Sequence, residues 1–331
     1  MKKSREIFLS SGEPEGESQT RKREEEARIR LVEKTRKDPE LQKILERVDF
    51  DTLRGIFEKI VERLGINPKA MNFIGSERIS HLTSDWLVGS YSTYENIIDL
   101  WYAGIEANAE AQDIDPCIAT IATLCHEEAH ATARVECYDI EKWAPWPLAH
   151  IESGRLGYAL WPKNKPSDRI FYLFNEGVTE KLGREVFREY LRITNYPDKE
   201  VVSAFERALT EKPNEMPYGV PVKFVDMLIV KICHETGVSN ELVWNALVRG
   251  MYEGEEFNDP KLRELFAEMI LPDFLDKLSQ ANSISQIEEL MDTLVLSEKD
   301  ASGIESIKQK ILSWLNPILA RIAMAKKRKS V

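Results

Sequence analysis

Two histidines four residues apart, with a glutamate directly after the first, stand in the stretch TLCHEEAHATA at 123–133. On a helix, His126 and His130 at i and i+4 project from one face, so two imidazole nitrogens can meet one metal ion. Glu127 follows about 100° round the helix, near enough to hold a water at that metal without ligating it. A zinc ion lowers the pKa of such a water toward 7, and a neighbouring carboxylate can then take its proton. The HExxH pattern therefore carries a hydrolytic mechanism, with Glu127 as general base. The competing reading is a solvated helix or a pair of core histidines. Ile118, Ile121, Leu124, Ala129 and Val135 flank the turn and predict partial burial. A half-buried His-Glu-Glu-His turn is costly without a counter-ion, and a bound cation supplies one.

Zinc in a catalytic site takes three protein ligands and keeps one open position. The stretch FNEGVTEKL offers Glu176 and Glu180, again at i and i+4. Either they form a solvated face balanced by Lys181, Arg184 and Arg188, or one carboxylate binds the metal. In the second case the other hydrogen-bonds a ligand histidine from behind.

His126-Glu127-x-x-His130 followed by Asn175-Glu176-Gly177 resembles the gluzincin metallopeptidases, the clan of thermolysin, neprilysin and aminopeptidase N. The resemblance implies that Glu176 is the third zinc ligand and that Glu180 orients a ligand histidine. The 45 residues between His130 and Glu176 lie nearer neprilysin's spacing than thermolysin's, which makes the Pro-rich stretch between them an insertion. GSYSTYENIIDL at 89–100 resembles the hairpin that precedes the zinc helix in many zincins, whose edge strand pairs with an extended substrate; an ordinary antiparallel hairpin is the other reading. The likeness covers about residues 70 to 200. The family also uses a His or Tyr to stabilise the tetrahedral oxyanion, and Tyr218, His150, Tyr158 and His234 compete for that role. Tyr218 is preferred, since it follows the third ligand at a helix start, as in aminopeptidase-like members. His234 reads as a core or C-terminal helix histidine. No aminopeptidase-type Gly-x-Met-Glu-Asn run is present, so recognition of a free N-terminus is not implied.

These residues need rigid elements around them. Asp115 as N-cap and Pro116 at the first helical position start the helix that carries the HExxH turn, read as DIDPCIATIATLCHEEAHATARVECYD. RIFYLFNEGVTEKLGREVFREYL is a second long helix, with Phe171, Phe174, Val178, Leu182, Val186 and Tyr190 as its buried stripe. AMNFIGSERIS and DWLVGSYSTYENIIDLWY are aromatic and β-branched, which predicts a small antiparallel sheet. Four prolines and two glycines in 143–168 allow at most a short hairpin there. Upstream, DPELQKILERV and FDTLRGIFEKIVERLGI form two amphipathic helices, the second closed by Gly65. Everything beyond residue 200 is helical, broken near EKPNEMPYGVP, HETGVSN, GEEFNDP and SEKDASG.

The organisation expected is a charged segment over 1–40, disordered at its start and loosely helical later, then a zincin-like domain over 41–200. A helical part over 201–325 and a basic tail over 326–331 complete it. A formal charge of −11 argues against nucleic-acid binding, which needs a basic footprint. No run of about 18 apolar residues exists to span a membrane. The apolar run near the start, IFL, is too short for a secretory signal. Cys117, Cys125, Cys137 and Cys233 show no CxxC spacing and read as buried, reduced thiols of a cytoplasmic protein.

The expectation is an α+β, zincin-like zinc metallopeptidase acting on a peptide or protein substrate. His126, His130 and Glu176 hold Zn2+, Glu127 is the base, Glu180 stands behind a ligand, and Tyr218 serves the oxyanion. The rival from another class is a non-catalytic zinc scaffold that binds partners, which has no need of Glu127. A di-iron carboxylate site shares the Glu127-x-x-His130 element but needs a second one, and the chain has none.

Overall fold

The computed structural model describes residues 38–81, 88–93, 95–139, 151–161, 169–196, 199–211, 216, 218–253, 266, 270 and 273–294. The charged N-terminal segment up to residue 37, His150, most of the Pro-rich stretch and the basic tail lie outside the described residues. The fold is mostly helical with small sheets, an α+β composition. Two compact units divide the chain. The first gathers residues up to Glu58 with Lys69–Ser153 and Lys181–Met216; the second holds Lys59–Pro68, Gly154–Glu180 and the chain from Pro217.

In the first unit, helix α1 (Pro39–Leu45) starts at Asp38, whose carboxylate accepts the Glu40 and Leu41 amides at 2.9 and 3.0 Å. Helix α2 (Phe50–Arg63) starts under Asp49 and ends before Gly65, which takes the left-handed φ of 77°. Three strands follow: β1 (Ile79–His81), β2 (Gly89–Ser92) and β3 (Ile97–Leu100). The expected antiparallel sheet is corrected to a mixed one. β3 lies in the middle, with β2 antiparallel to it (Tyr91 opposite Ile98) and β1 parallel (Ile79 opposite Ile98). The hairpin partner takes one edge, so β1 can reach β3 only from the other, running in the same direction.

Helix α3 (Tyr102–Ala111) begins inside the aromatic run that reads as strand, and its four alanines carry it onward. Helix α4 (Pro116–Thr132) is capped as expected, Asp115 Oδ1 accepting the Ile118 amide at 3.1 Å with Pro116 at the first position. It stops sooner than the sequence predicts. The chain turns extended after Ala133 into β4 (Val135–Asp139), whose Val, Cys and Tyr favour a strand over a helical end. Strands β5 (Ile151–Leu156) and β6 (Ala159–Leu160) form the short antiparallel hairpin foreseen in the Pro-rich stretch, turning at Gly157 with φ 59°.

Helix α5 (Tyr172–Ile193) buries five residues of the stripe named above, and the sixth, Phe171, is buried just before its start. In the first unit Phe187 packs on Phe205 of α6 (Lys199–Glu211) at 4.8 Å between ring centroids. The second unit is built on α7 (Gly219–Thr236), packed against α8 (Asn240–Glu253) and α10 (Ile284–Leu294), with α9 (Phe274–Gln280) between them in sequence. Phe224 and the fully buried Phe274 stack at 6.3 Å in its core. Among the described cysteines all are free, but only Cys125 is fully buried; Cys117 and Cys233 are half-buried, since each sits near a helix end.

Candidate metal centre

α4 is not an amphipathic surface helix. From Leu124 to Ala133 every residue is buried, so this end of the helix lies inside the fold. Its polar side chains must therefore find partners indoors. Thr120 and Thr123 turn their hydroxyls back onto the Pro116 and Ala119 carbonyls at 2.8 and 2.9 Å. His126 and His130 face one another, Nε2 to Nε2 at 3.1 Å with rings edge to face.

α5 crosses the backbone of α4 at a glycine. A Cβ built on Gly183 would stand 3.1 Å from both Cα and N of His126, so only a residue without one fits without displacement. Glu176, Glu180 and Gly183 are spaced i, i+4 and i+7, on one face of α5. One ligand atom each from His126, His130 and Glu176 lies within 4.8 Å of the others, and the three residues are 6%, 5% and 4% exposed. Among the described residues this is the group of this kind that could hold a metal ion. Glu180 is half-buried one turn beyond Glu176.

The flanking residues of the Asn175-Glu176-Gly177 motif have work of their own. Asn175 Oδ1 accepts the Tyr158 amide at 2.9 Å, tying the β5–β6 turn to the start of α5. A Cβ on Gly177 would stand 2.6 Å from the Pro221 carbonyl oxygen, so this glycine lets α7 approach. Glu176 is thereby gripped between two tertiary contacts, which fixes its rotation on the helix.

Glu127 points toward the sheet. A Cβ on Gly89, at the start of β2, would come within 2.8 Å of Glu127 Oε1. Glu127 is 5% exposed. Glu128, the second carboxylate of the turn, is directed elsewhere: its Oε2 accepts the Ile74 amide at 3.1 Å, and its Oε1 is buried with no partner among the described residues. Burial holds the Glu128 carboxyl well above the usual carboxylate range; the Ile74 amide and the Arg78 and Arg54 charges oppose that shift.

Of the four candidates for the oxyanion role, Tyr158 is otherwise engaged, its hydroxyl donating to the Leu247 carbonyl at 2.8 Å within the second unit. His234 occupies the last turn of α7, as its helix-end reading expects. Tyr218 does stand at a helix start, as the residue before α7, with a left-handed φ of 53°. Sequence reasoning missed the close approaches at Gly89 and Gly183 and the anchoring of Glu128. A glycine inside a strand or mid-helix is the available signal, since it marks close backbone approach. Among the described residues no helix is long and apolar enough to cross a membrane. No protein-family model matches the chain, and no curated protein or solved structure matches it.

Proposed function

We propose that the chain is a zinc-dependent metallopeptidase of gluzincin type, with His126, His130 and Glu176 holding the metal. The observation that carries this reading is the facing pair of imidazole Nε2 atoms at 3.1 Å, buried and grouped with a Glu176 oxygen. Two nitrogens each about 2.0–2.1 Å from one tetrahedral zinc stand roughly 3.3 Å apart. The observed spacing suits a shared ion. Two imidazoles and one carboxylate are also the donor chemistry that zinc accepts while keeping a position open. When bound, the metal supplies a Lewis acid for a water and a scissile carbonyl.

The remaining roles belong to the protein. Glu127 takes a proton from the attacking water and delivers it to the leaving amine. Glu180, on the same face as Glu176, orients a ligand histidine. Tyr218 donates to the oxyanion of the tetrahedral intermediate; its left-handed backbone, uncommon for a bulky residue, is the kind of strain that collects at working sites. Among the described residues β2 is a sheet edge beside Glu127, and its outer backbone groups suit pairing with an extended peptide.

Glu127→Gln tests the reading. The amide keeps the side chain's shape but accepts no proton, so zinc content and thermal stability stay at wild-type values while peptide turnover falls by about 10²- to 10⁴-fold. Zinc-loaded wild type that cleaves nothing across a broad peptide library would turn the assignment toward a scaffold. Undiminished cleavage by Glu127→Gln would remove Glu127 from the mechanism.

A further inference from the structure

We infer that Gly89 is a positioning residue for Glu127, the missing side chain on β2 holding open the space in which the carboxylate lies. The inference rests on Glu127 being the general base. Glycine at this first position of β2 offers no side chain to pack, so its presence asks for a reason. Backbone conformation is not that reason, because Gly89 is absent from the glycines with positive φ. Space is. A Cβ here would stand 2.8 Å from Glu127 Oε1, 3.2 Å from its Cγ and 2.9 Å from Thr123 Cγ2.

The other neighbours of that space are held. Gly89 pairs with Leu100 across β3, and the Trp101 amide donates to the Val88 carbonyl at 2.9 Å beside it. At the far end of β2 the Tyr91 hydroxyl donates to Asn96 Oδ1 at 2.8 Å and accepts from Asn72 Nδ2 at 3.1 Å. Asn72 Nδ2 also donates to the Ala131 carbonyl at 3.1 Å, so the strand is clamped to the end of α4. Thr123 is pinned by its bond to the Ala119 carbonyl. Of the atoms around the new Cβ, the Glu127 carboxylate is the far end of a flexible chain, and it is the group that yields.

The test combines a structure with a mutant cycle. Gly89→Ala is crystallised, and its kcat, KM, zinc content and Tm are compared with wild type, Glu127→Gln and the double variant. The expected result is an unmoved α4 backbone with the Glu127 carboxylate displaced by about 1 Å. A misplacement of that size costs on the order of 10²-fold, read in kcat with KM, zinc content and Tm near wild type. On the Glu127→Gln background the same alanine has no further effect, which a general loss of structure would not reproduce. A carboxylate that stays in place, or an equal loss of kcat on both backgrounds, overturns the inference while leaving the peptidase reading intact. Absence of turnover in wild type overturns the peptidase reading, and the crystallographic displacement still decides the role of Gly89. Should Gly89→Ala fail to fold, Glu127→Ala on that background restores folding if the clash is with Glu127; continued failure places the clash elsewhere and sinks the proposal.

Discussion

The tripeptide Cys-His-Glu occurs twice in this chain, at 125–127 on α4 and at 233–235 on α7, and the two copies meet opposite fates. On α4 the histidine is buried and faces a second imidazole one turn on. On α7 the His234 side chain is 49% exposed while that of Glu235 is 1% exposed. The difference comes from the neighbours at four residues' distance. His126 is followed by His130 within the same helix, whereas α7 has ended at Gly237 before a position i+4 to His234 arrives. Glu235 is preceded by Lys231, equally buried, whose Nζ stands 3.0 Å from Glu235 Oε1. Glu127 is preceded by Thr123, whose hydroxyl is already spent on the Ala119 carbonyl. Glu235 is thus neutralised inside its own helix, whereas Glu127 has no basic residue one turn before it. Residue identity is shared, and helical context separates structure from chemistry.

The largest effect expected from this contrast is on metal content. His130→Ala removes one of two facing nitrogens and should lose zinc on dialysis against a weak chelator. His234→Ala, altering a half-exposed side chain at a helix end, should retain as much zinc as wild type. Equal zinc in both variants would break the comparison. Stability should answer in the reverse sense. Lys231→Met strands the Glu235 carboxylate in the core, and breaking a buried pair from one side costs about 3–5 kcal/mol. Replacing both, as Lys231→Met with Glu235→Leu, should recover most of that loss in denaturant unfolding. Failure to recover would mean that the pair does more than neutralise itself.

Features that depend on local sequence were legible; those set by a distant segment were not. Asp115 and Pro116 announce the start of α4, and the stripe from Phe171 to Tyr190 announces α5, because capping and period are encoded within a few residues. The HExxH spacing is local in the same sense. The parallel pairing of β1 with β3 is not, since strand order and direction are set by contacts between segments separated in sequence. The end of α4 was misread because ATARVECYD has no Gly or Pro stop, and β-branched and aromatic residues gave only a weak signal for the strand. Gly183 reads as a plain helix-interior glycine until the backbone of His126 is placed against it. The divergence of Glu127 and Glu128, adjacent in sequence, is likewise decided by β2 on one side and Ile74 on the other.

A smaller effect sharpens the view of the α5 face. Glu180→Ala should weaken zinc binding by about 10- to 100-fold, the usual consequence of losing a partner behind a ligand. Glu176→Ala should lose the metal far more completely, because it removes a donor. A competition titration with a chromogenic chelator measures both. If Glu180→Ala abolished binding and Glu176→Ala did not, the two roles on α5 would be exchanged.

The smallest effect concerns Glu128, which solves burial in a third way. Glu235 is neutralised by a lysine; Glu128 is pushed toward its neutral form by burial, which raises its pKa well above the ordinary 4.5. The folded chain therefore keeps a proton that the unfolded chain releases. By linkage this contribution to stability is fully present below about pH 4.5 and declines as pH rises toward the elevated folded value. Glutamine has the shape of the neutral acid, can still accept the Ile74 amide and has no proton to lose. Metal-free Glu128→Gln should accordingly match wild type in acid and exceed it in Tm at neutral pH, with this part of the pH dependence removed. Urea unfolding of both proteins from pH 4 to pH 8 checks the sign. A variant less stable than wild type at pH 7, by a margin that shrinks toward pH 4, would show that Glu128 is held as an anion by Arg78 and Arg54, and that α4 carries its charge after all.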